Sequence, residues 1–268
     1  MKQRIISAIV ALAIIIPVII IGGNIYNLIV VLISLFGAKE LIDMVDTKER
    51  FPLAIEIFAY IGLVVFLLGN INNNIGSFSL SLNYCLVALI LMFLLVPLIL
   101  YHHNKKYNVR DALYLTGIIF FLGLAFNLLI VIRNYDIKYL IFLLLITIAT
   151  DTYAFITGML IGKHKLTESP SPNKSIEGVI GGTLVGTFVG TIFYYEAISS
   201  SINLWLLVLI VLFLSIIGQA GDLVFSAIKR YYGKKDFSNI MPGHGGILDR
   251  LDSIIFVLLA FSLFLDIL

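Results

Sequence analysis

Nine apolar runs, each close to the length that crosses a lipid bilayer, follow one another along this chain with only short polar links between them. A hydrocarbon core about 30 Å thick takes roughly 20 residues of α-helix. Backbone polar groups in lipid must be satisfied inside the segment or around a closed barrel. The runs are unbroken blocks of Leu, Ile, Val and Phe, without the period-two alternation of a transmembrane barrel. The expectation is therefore an all-α, polytopic integral membrane protein. With 60% hydrophobic and 13% charged residues, the chain lacks the polar surface that a soluble globule needs. The spans are predicted near 5–21, 25–44, 53–69, 80–100, 112–132, 139–162, 179–198, 204–225 and 253–268.

Cytoplasmic loops collect Lys and Arg. An inside N-terminus puts Lys2, Arg4, Lys39, Lys48, Arg50, Lys105, Lys106, Arg110, Lys163, Lys165, Lys174, Lys229, Arg230, Lys234, Lys235 and Arg250 at cytoplasmic ends and leaves Arg133 and Lys138 outside. Nine spans then place the C-terminus outside. Lys2 and Arg4 precede the first run as in a signal peptide, but no small-residue cleavage pattern follows, so a retained anchor is expected. The one cysteine, Cys85, excludes a disulfide framework or thiolate cluster within a chain. A net charge of +2 spread over separate loops gives no nucleic-acid surface.

Residues 1–135 carry no catalytic spacing and read as scaffold helices; residues 136–268 read as the catalytic half of one integrated membrane domain. Gly178, Gly182, Gly186 and Gly190 form a stripe on one helix face, with Thr183, Thr187 and Thr191 beside it. This predicts close helix packing, within one chain or between the protomers of a homodimer.

Between the last two runs lies SAIKRYYGKKDFSNIMPGHGGILDRLD, from Ser226 to Asp252, which gathers charge next to lipid. Charges there are costly and are read first as a functional site. Helical spacing puts Ser226, Lys229 and Arg230 on roughly the same side as Asp222. Asp249 and Asp252 share a face if the last helix begins near Gly246. Acids from two helix ends beside Lys and Arg suit magnesium, which takes a few carboxylates and completes its shell with water and phosphate oxygens. The competing reading makes Asp222 and Asp249 plain ion-pair partners of Arg230 and Arg250. In Pro242-Gly243-His244-Gly245-Gly246, glycines let the backbone approach an anion, and N–H groups at a helix start can hold phosphate. His244 either donates to such a phosphate or is a solvated loop side chain. Asp151, inside an apolar run, implies a polar recess or a helix–helix hydrogen bond. The loop carrying Lys163, His164, Lys165 and Lys174 is a phosphate contact or simply positive-inside charge. Phosphate-loop, HExxH and GxSxG motifs are absent from the sequence.

Ser226, Lys229-Arg230, Lys235-Asp236, Pro242 to Gly246, Asp249-Arg250 and Asp252 together resemble the hallmark of the phosphatidate cytidylyltransferases, also called CDP-diglyceride synthetases. Supporting similarity runs through Asp151, Gly158, Gly162-Lys163, Ser171-Pro172, Lys174, Glu177-Gly178 and Gly221-Asp222. Where that family tends to read Ser-Pro-Lys-Lys-Thr, this chain has Ser171-Pro172-Asn173-Lys174-Ser175. One basic contact is lost, while the Lys174 amine and Ser175 hydroxyl remain.

The resemblance implies magnesium on Asp222 and Asp249, with or without a second, monovalent cation such as K+. It implies catalytic roles for Lys229, Arg230, Lys235, His244 and Arg250 as well. Substrate contacts would come from Ser226, Gly243, Gly245, Gly246, Lys163, Lys174, Ser175 and Asp151. The implied reaction joins CTP and phosphatidate into CDP-diacylglycerol and pyrophosphate, in a bacterial cytoplasmic membrane with the site facing the cytoplasm. CTP would arrive from water and phosphatidate laterally from the bilayer. Two rivals stay open: a CTP-dependent polyprenol kinase, which would release CDP, and an ion or proton transporter relaying through Asp151 and Asp222.

Overall fold

The computed structural model describes residues 2–45, 51–69, 83–101, 107–241, 243, 245–265 and 267–268. These form ten α-helices: α1 Lys2–Ile21, α2 Gly23–Ile42, α3 Leu53–Gly69, α4 Tyr84–Leu95, α5 Pro97–Tyr101, α6 Val109–Tyr135, α7 Ile137–Ile161, α8 Ile176–Ala197, α9 Leu204–Tyr231 and α10 Leu248–Phe261. A short 3₁₀ turn, Ser262–Phe264, follows α10. Helices α4 and α5 are one apolar run interrupted at Pro97, where proline removes a backbone donor. Counting that pair once, the described residues hold the nine helical segments expected, and no strand. Six, namely α2, the α4–α5 run and α6 to α9, are long and apolar enough to cross a membrane, while α3 has 17 residues.

Two boundaries differ from expectation. The hydrophobic run predicts an end near 225, but α9 continues to Tyr231 and carries Ser226, Lys229 and Arg230 on helix. It stops where Gly233 adopts φ +66°, a left-handed position that frees the chain to turn, and Lys234 N–H closes on the Lys229 carbonyl at 2.9 Å. Helix α10 begins at Leu248, ahead of the apolar span predicted from 253 and close to the start near Gly246 considered for it, so Asp249, Arg250 and Asp252 are all helical.

The chain divides into two compact units, Met1–Tyr135 with Phe237–Leu248, and Asp136–Asp236 with Asp249–Leu268. The first is built on α6, against which α2, α3 and α4 pack. At its C-terminal end Arg133 donates to the carbonyls of Ile19 and Ile20, both at 2.9 Å, satisfying the open end of α1. In the same unit Phe237–Leu248 lies over α2 through Glu40, whose carboxylate accepts from the Ser238 hydroxyl and two backbone N–H groups.

The second unit is a bundle of α7, α8 and α9. The predicted glycine stripe is its seam: Gly178 and Gly182 face Ala154, Gly186 faces Thr150 and Ser215, and Gly190 faces Ile146 and Val211. Such contacts replace the hydrophobic effect, which has no purchase between helices already in hydrocarbon. Helix α10 approaches α9 closely at Gly218 and Gly221, facing Val257 and Phe256. Helices α7 and α8 show Ile148, Leu160, Leu184 and Phe188, each more than half exposed, as a lipid-facing surface requires.

Candidate active site

Within the second unit, one cavity of about 470 Å³ collects the polar residues of four segments. Helix α7 supplies Asp151, α9 supplies Gln219 and Asp222, α10 supplies Asp249, Asp252 and Ser253, and the loop before α8 supplies Asn173, Lys174 and Ser175. Ala154, Phe155, Gly158, Met159 and Val179 form an apolar wall. The volume falls within the roughly 300–1,000 Å³ of ordinary small-molecule clefts.

Loop 162–175 holds its residues in place by folding back on itself. Leu166 N–H donates to the Lys174 carbonyl at 2.8 Å, and Ile176 N–H to the His164 carbonyl at 2.9 Å. Ser175 caps α8 by accepting Gly178 N–H at 3.1 Å. In the first turn of α8 the Glu177 carboxylate accepts Lys163 N–H at 3.1 Å and meets His164 Nδ1 at 2.6 Å. With both ends of the loop tied, Lys174 Nζ reaches Asp222 Oδ2 at 2.7 Å and the Gln219 carbonyl at 3.4 Å. Gln219 is itself oriented by donating to Thr183 Oγ1 at 2.8 Å.

The charge pairing departs from helical spacing. Asp222 accepts from Ser226 Oγ at 3.4 Å, but its cation is Lys174. Lys229 turns to Asp249 instead, Nζ to Oδ1 at 2.7 Å, and both side chains are nearly closed off, 10% and 5% exposed. The ion pairs considered with Arg230 and Arg250 are thus made with lysines. Arg230 donates to the Lys234 carbonyl at 3.0 Å and completes the end of α9. Asp151 lines the cavity together with Ser253 of α10, the polar recess that its place in an apolar run implied.

Of the sequence candidates, the cavity brings together Asp151, Lys174, Ser175, Asp222 and Asp249, with Lys229 against its wall through Asp249. Lys163, Arg230, Lys235 and Arg250 are exposed and do not line it. His244 and Pro242 lie outside the described residues. Gly243 and Gly245 hold φ of +78° and +83°, conformations that need glycine. Gly246 requires a correction. The helix-start N–H groups beside it, expected to hold phosphate, are occupied by Glu40: Ile247 N to Oε1 at 2.7 Å and Leu248 N to Oε2 at 2.8 Å. Gln219 and Ser253 were missed. Gln219 sits one turn before Asp222 in an apolar helix, and a polar residue at that spacing was the available signal.

The donor set suits a hard divalent cation. Four carboxylates border one cavity, against the two ammonium groups of Lys174 and Lys229. Among the described residues no three His, Cys, Asp or Glu side chains converge to cage a metal alone. Magnesium suits such a set, because it needs one or two carboxylates and takes the rest of its shell from substrate and water.

This is a helical membrane protein with an acid-lined, lysine-braced cleft, and it belongs to the cytidylyltransferase family, whose profile matches residues 2–268. Its relatives narrow the class further. The chain is 37% identical over 259 residues to the phosphatidate cytidylyltransferase of Staphylococcus haemolyticus (strain JCSC1435), covering 96% of each chain. It is 38% identical over 259 residues to that of Staphylococcus saprophyticus subsp. saprophyticus, again with 96% of each covered. Against that of Staphylococcus aureus (strain COL) the identity is 34% over 258 residues at the same coverage.

Proposed function

We propose that this chain is a phosphatidate cytidylyltransferase, joining CTP to phosphatidate to give CDP-diacylglycerol and pyrophosphate. The observation that carries the reading is the mixed lining of the cavity, in which Lys174 and four aspartates share one cleft with Phe155, Met159 and Val179, and Lys229 braces it through Asp249. One substrate is a lipid with a charged head, and the other is a soluble polyanion. A wall of each kind in one cleft serves both.

In the proposed reaction a phosphatidate oxygen attacks the α-phosphorus of CTP, the bond to the β-phosphate oxygen breaks, and pyrophosphate leaves. A phosphate monoester is already ionised near neutral pH, so no protein nucleophile or strong base is required. The protein's work is positioning and charge compensation. Asp222 and Asp249 would hold magnesium, which when bound supplies Lewis-acid stabilisation of the phosphoryl oxygens. Lys174 is kept at the cavity by Asp222, ready to meet phosphate oxygens, and Lys229 holds Asp249 from behind the wall. Ser226 steadies Asp222. The Lys and Arg distribution supports an inside N-terminus and a site on the cytoplasmic face of the membrane.

Purified protein in detergent, given labelled CTP and phosphatidate, should release pyrophosphate and CDP-diacylglycerol, and chelation should stop both until magnesium is restored. Release of CDP would instead indicate phosphoryl transfer to a lipid, and turnover indifferent to chelator would remove the metal. Asp151→Asn should lower turnover on the order of tenfold and raise the magnesium needed for half-maximal rate, by weakening the field that draws the cation. Unchanged rate and metal dependence would exclude Asp151 from the site.

A further inference from the structure

We infer that Glu40 is a positioning residue of this reaction, its carboxylate being the anion around which the glycine turn and the start of α10 are built. The inference rests on the function proposed above. Glu40 lies in α2, inside the half of the chain that the sequence marks as scaffold, and is 1% exposed. It accepts three hydrogen bonds from one short segment: Ser238 Oγ at 2.6 Å, Ile247 N at 2.7 Å and Leu248 N at 2.8 Å. Both carboxylate oxygens are used. A buried charged acceptor on two backbone N–H groups makes strong, directional bonds, and these groups would otherwise be costly to bury.

The absence of a side chain at position 246 fits the same purpose. A Cβ on Gly246 would overlap the Glu40 carboxylate, so this glycine makes room for the protein's own anion. Glu40 therefore fixes both ends of the turn, at Ser238 and at Ile247–Leu248, and sets the residue at which α10 starts. Asp249 is the next residue of that helix. Ahead of that helix, Met241 N–H pairs with the Gly245 carbonyl at 2.9 Å. Glu40 acts through the segment it anchors.

Amide hydrogen exchange and steady-state kinetics on the full-length protein in detergent test this together. In Glu40→Gln the side-chain NH2 must face one of the two N–H donors. Exchange at Ile247 and Leu248 should then speed up at least about tenfold, with exchange in α7 and α9 unchanged, and turnover should fall on the order of tenfold to a hundredfold. Gly246→Ala should resemble it, and Glu40→Gln/Gly246→Ala should be no worse than either single change, because both act on one contact. If Glu40→Gln does not fold, Ser238→Ala removes one of the three bonds and should show the same two effects in smaller measure. Unaltered exchange at 247 and 248 would overturn the inference, as would faster exchange with turnover within twofold of wild type. Wild-type protein that protects these amides but makes no CDP-diacylglycerol would defeat the functional reading, and with it this role for Glu40.

Discussion

Asp249→Asn is expected to lower CDP-diacylglycerol formation on the order of a thousandfold, the scale on which loss of preorganised electrostatic stabilisation acts in a water-poor site. Asp249 is 5% exposed and bonded to Lys229 at 2.7 Å, so the substitution has two consequences that need separating. Breaking a buried pair by neutralising one partner costs about 3–5 kcal/mol, because the remaining charge loses its compensation. A fall in activity could then reflect damage to the fold alone. The double variant Asp249→Asn/Lys229→Gln separates them, since it removes both charges and restores a neutral contact. Its thermal unfolding midpoint should recover most of what Asp249→Asn loses, while turnover stays at the level of the single variant. Asp222→Asn, whose partner Lys174 is 25% exposed, should be as inactive with less loss of stability. Recovery of turnover in the double variant would show that Asp249 serves only to neutralise Lys229, and would end its assignment as a metal ligand.

The largest structural effect should come from Gly182→Leu. A Cβ there would lie 2.5 Å from the Thr150 carbonyl oxygen and 3.0 Å from the Ala154 Cα, atoms of the α7 backbone that cannot rotate aside. Overpacking a formed core costs roughly 1–3 kcal/mol when side chains can yield, and more when a helix must move. The same two helices present Gly158 and Gly178 to the cavity, so wedging them apart also displaces its wall. The variant should give no monodisperse peak in size-exclusion chromatography and no measurable turnover. Gly190→Ala is the milder comparison, because its nearest atoms belong to the side chains of Ile146 and Val211, at 2.6 and 2.7 Å. It should fold with a lower unfolding midpoint and keep most activity. Wild-type behaviour from Gly182→Leu would mean that the seam does not hold the bundle together.

The helices were legible because hydropathy is local: a run of Leu, Ile and Val long enough to span hydrocarbon has no alternative to helix there. Hydropathy did not mark their polar ends: α9 carries Ser226, Lys229 and Arg230 past the apolar run, as their helical spacing implied, and stops where the backbone finds a cap at Gly233. In the site, the acids stood out as charges beside lipid, and the glycine stripe revealed its packing role through its spacing. The pairings were harder to see. Helical spacing pointed Asp222 toward Lys229, but Lys174 arrives from a folded loop far along the chain and takes that place.

Glu40 shows the same limit most sharply. It stands near the end of an apolar run with no motif around it, and its partner Leu248 lies 208 residues away. The sequence by itself determined that this chain crosses a membrane as helices, where its charges gather, and which family it resembles, because those properties depend on residue type and near-neighbour spacing. Only the tertiary structure decided which ammonium meets which carboxylate, and that the glycine turn receives an internal anion. Such choices depend on which distant segments come within hydrogen-bonding distance, and local spacing carries no information about that.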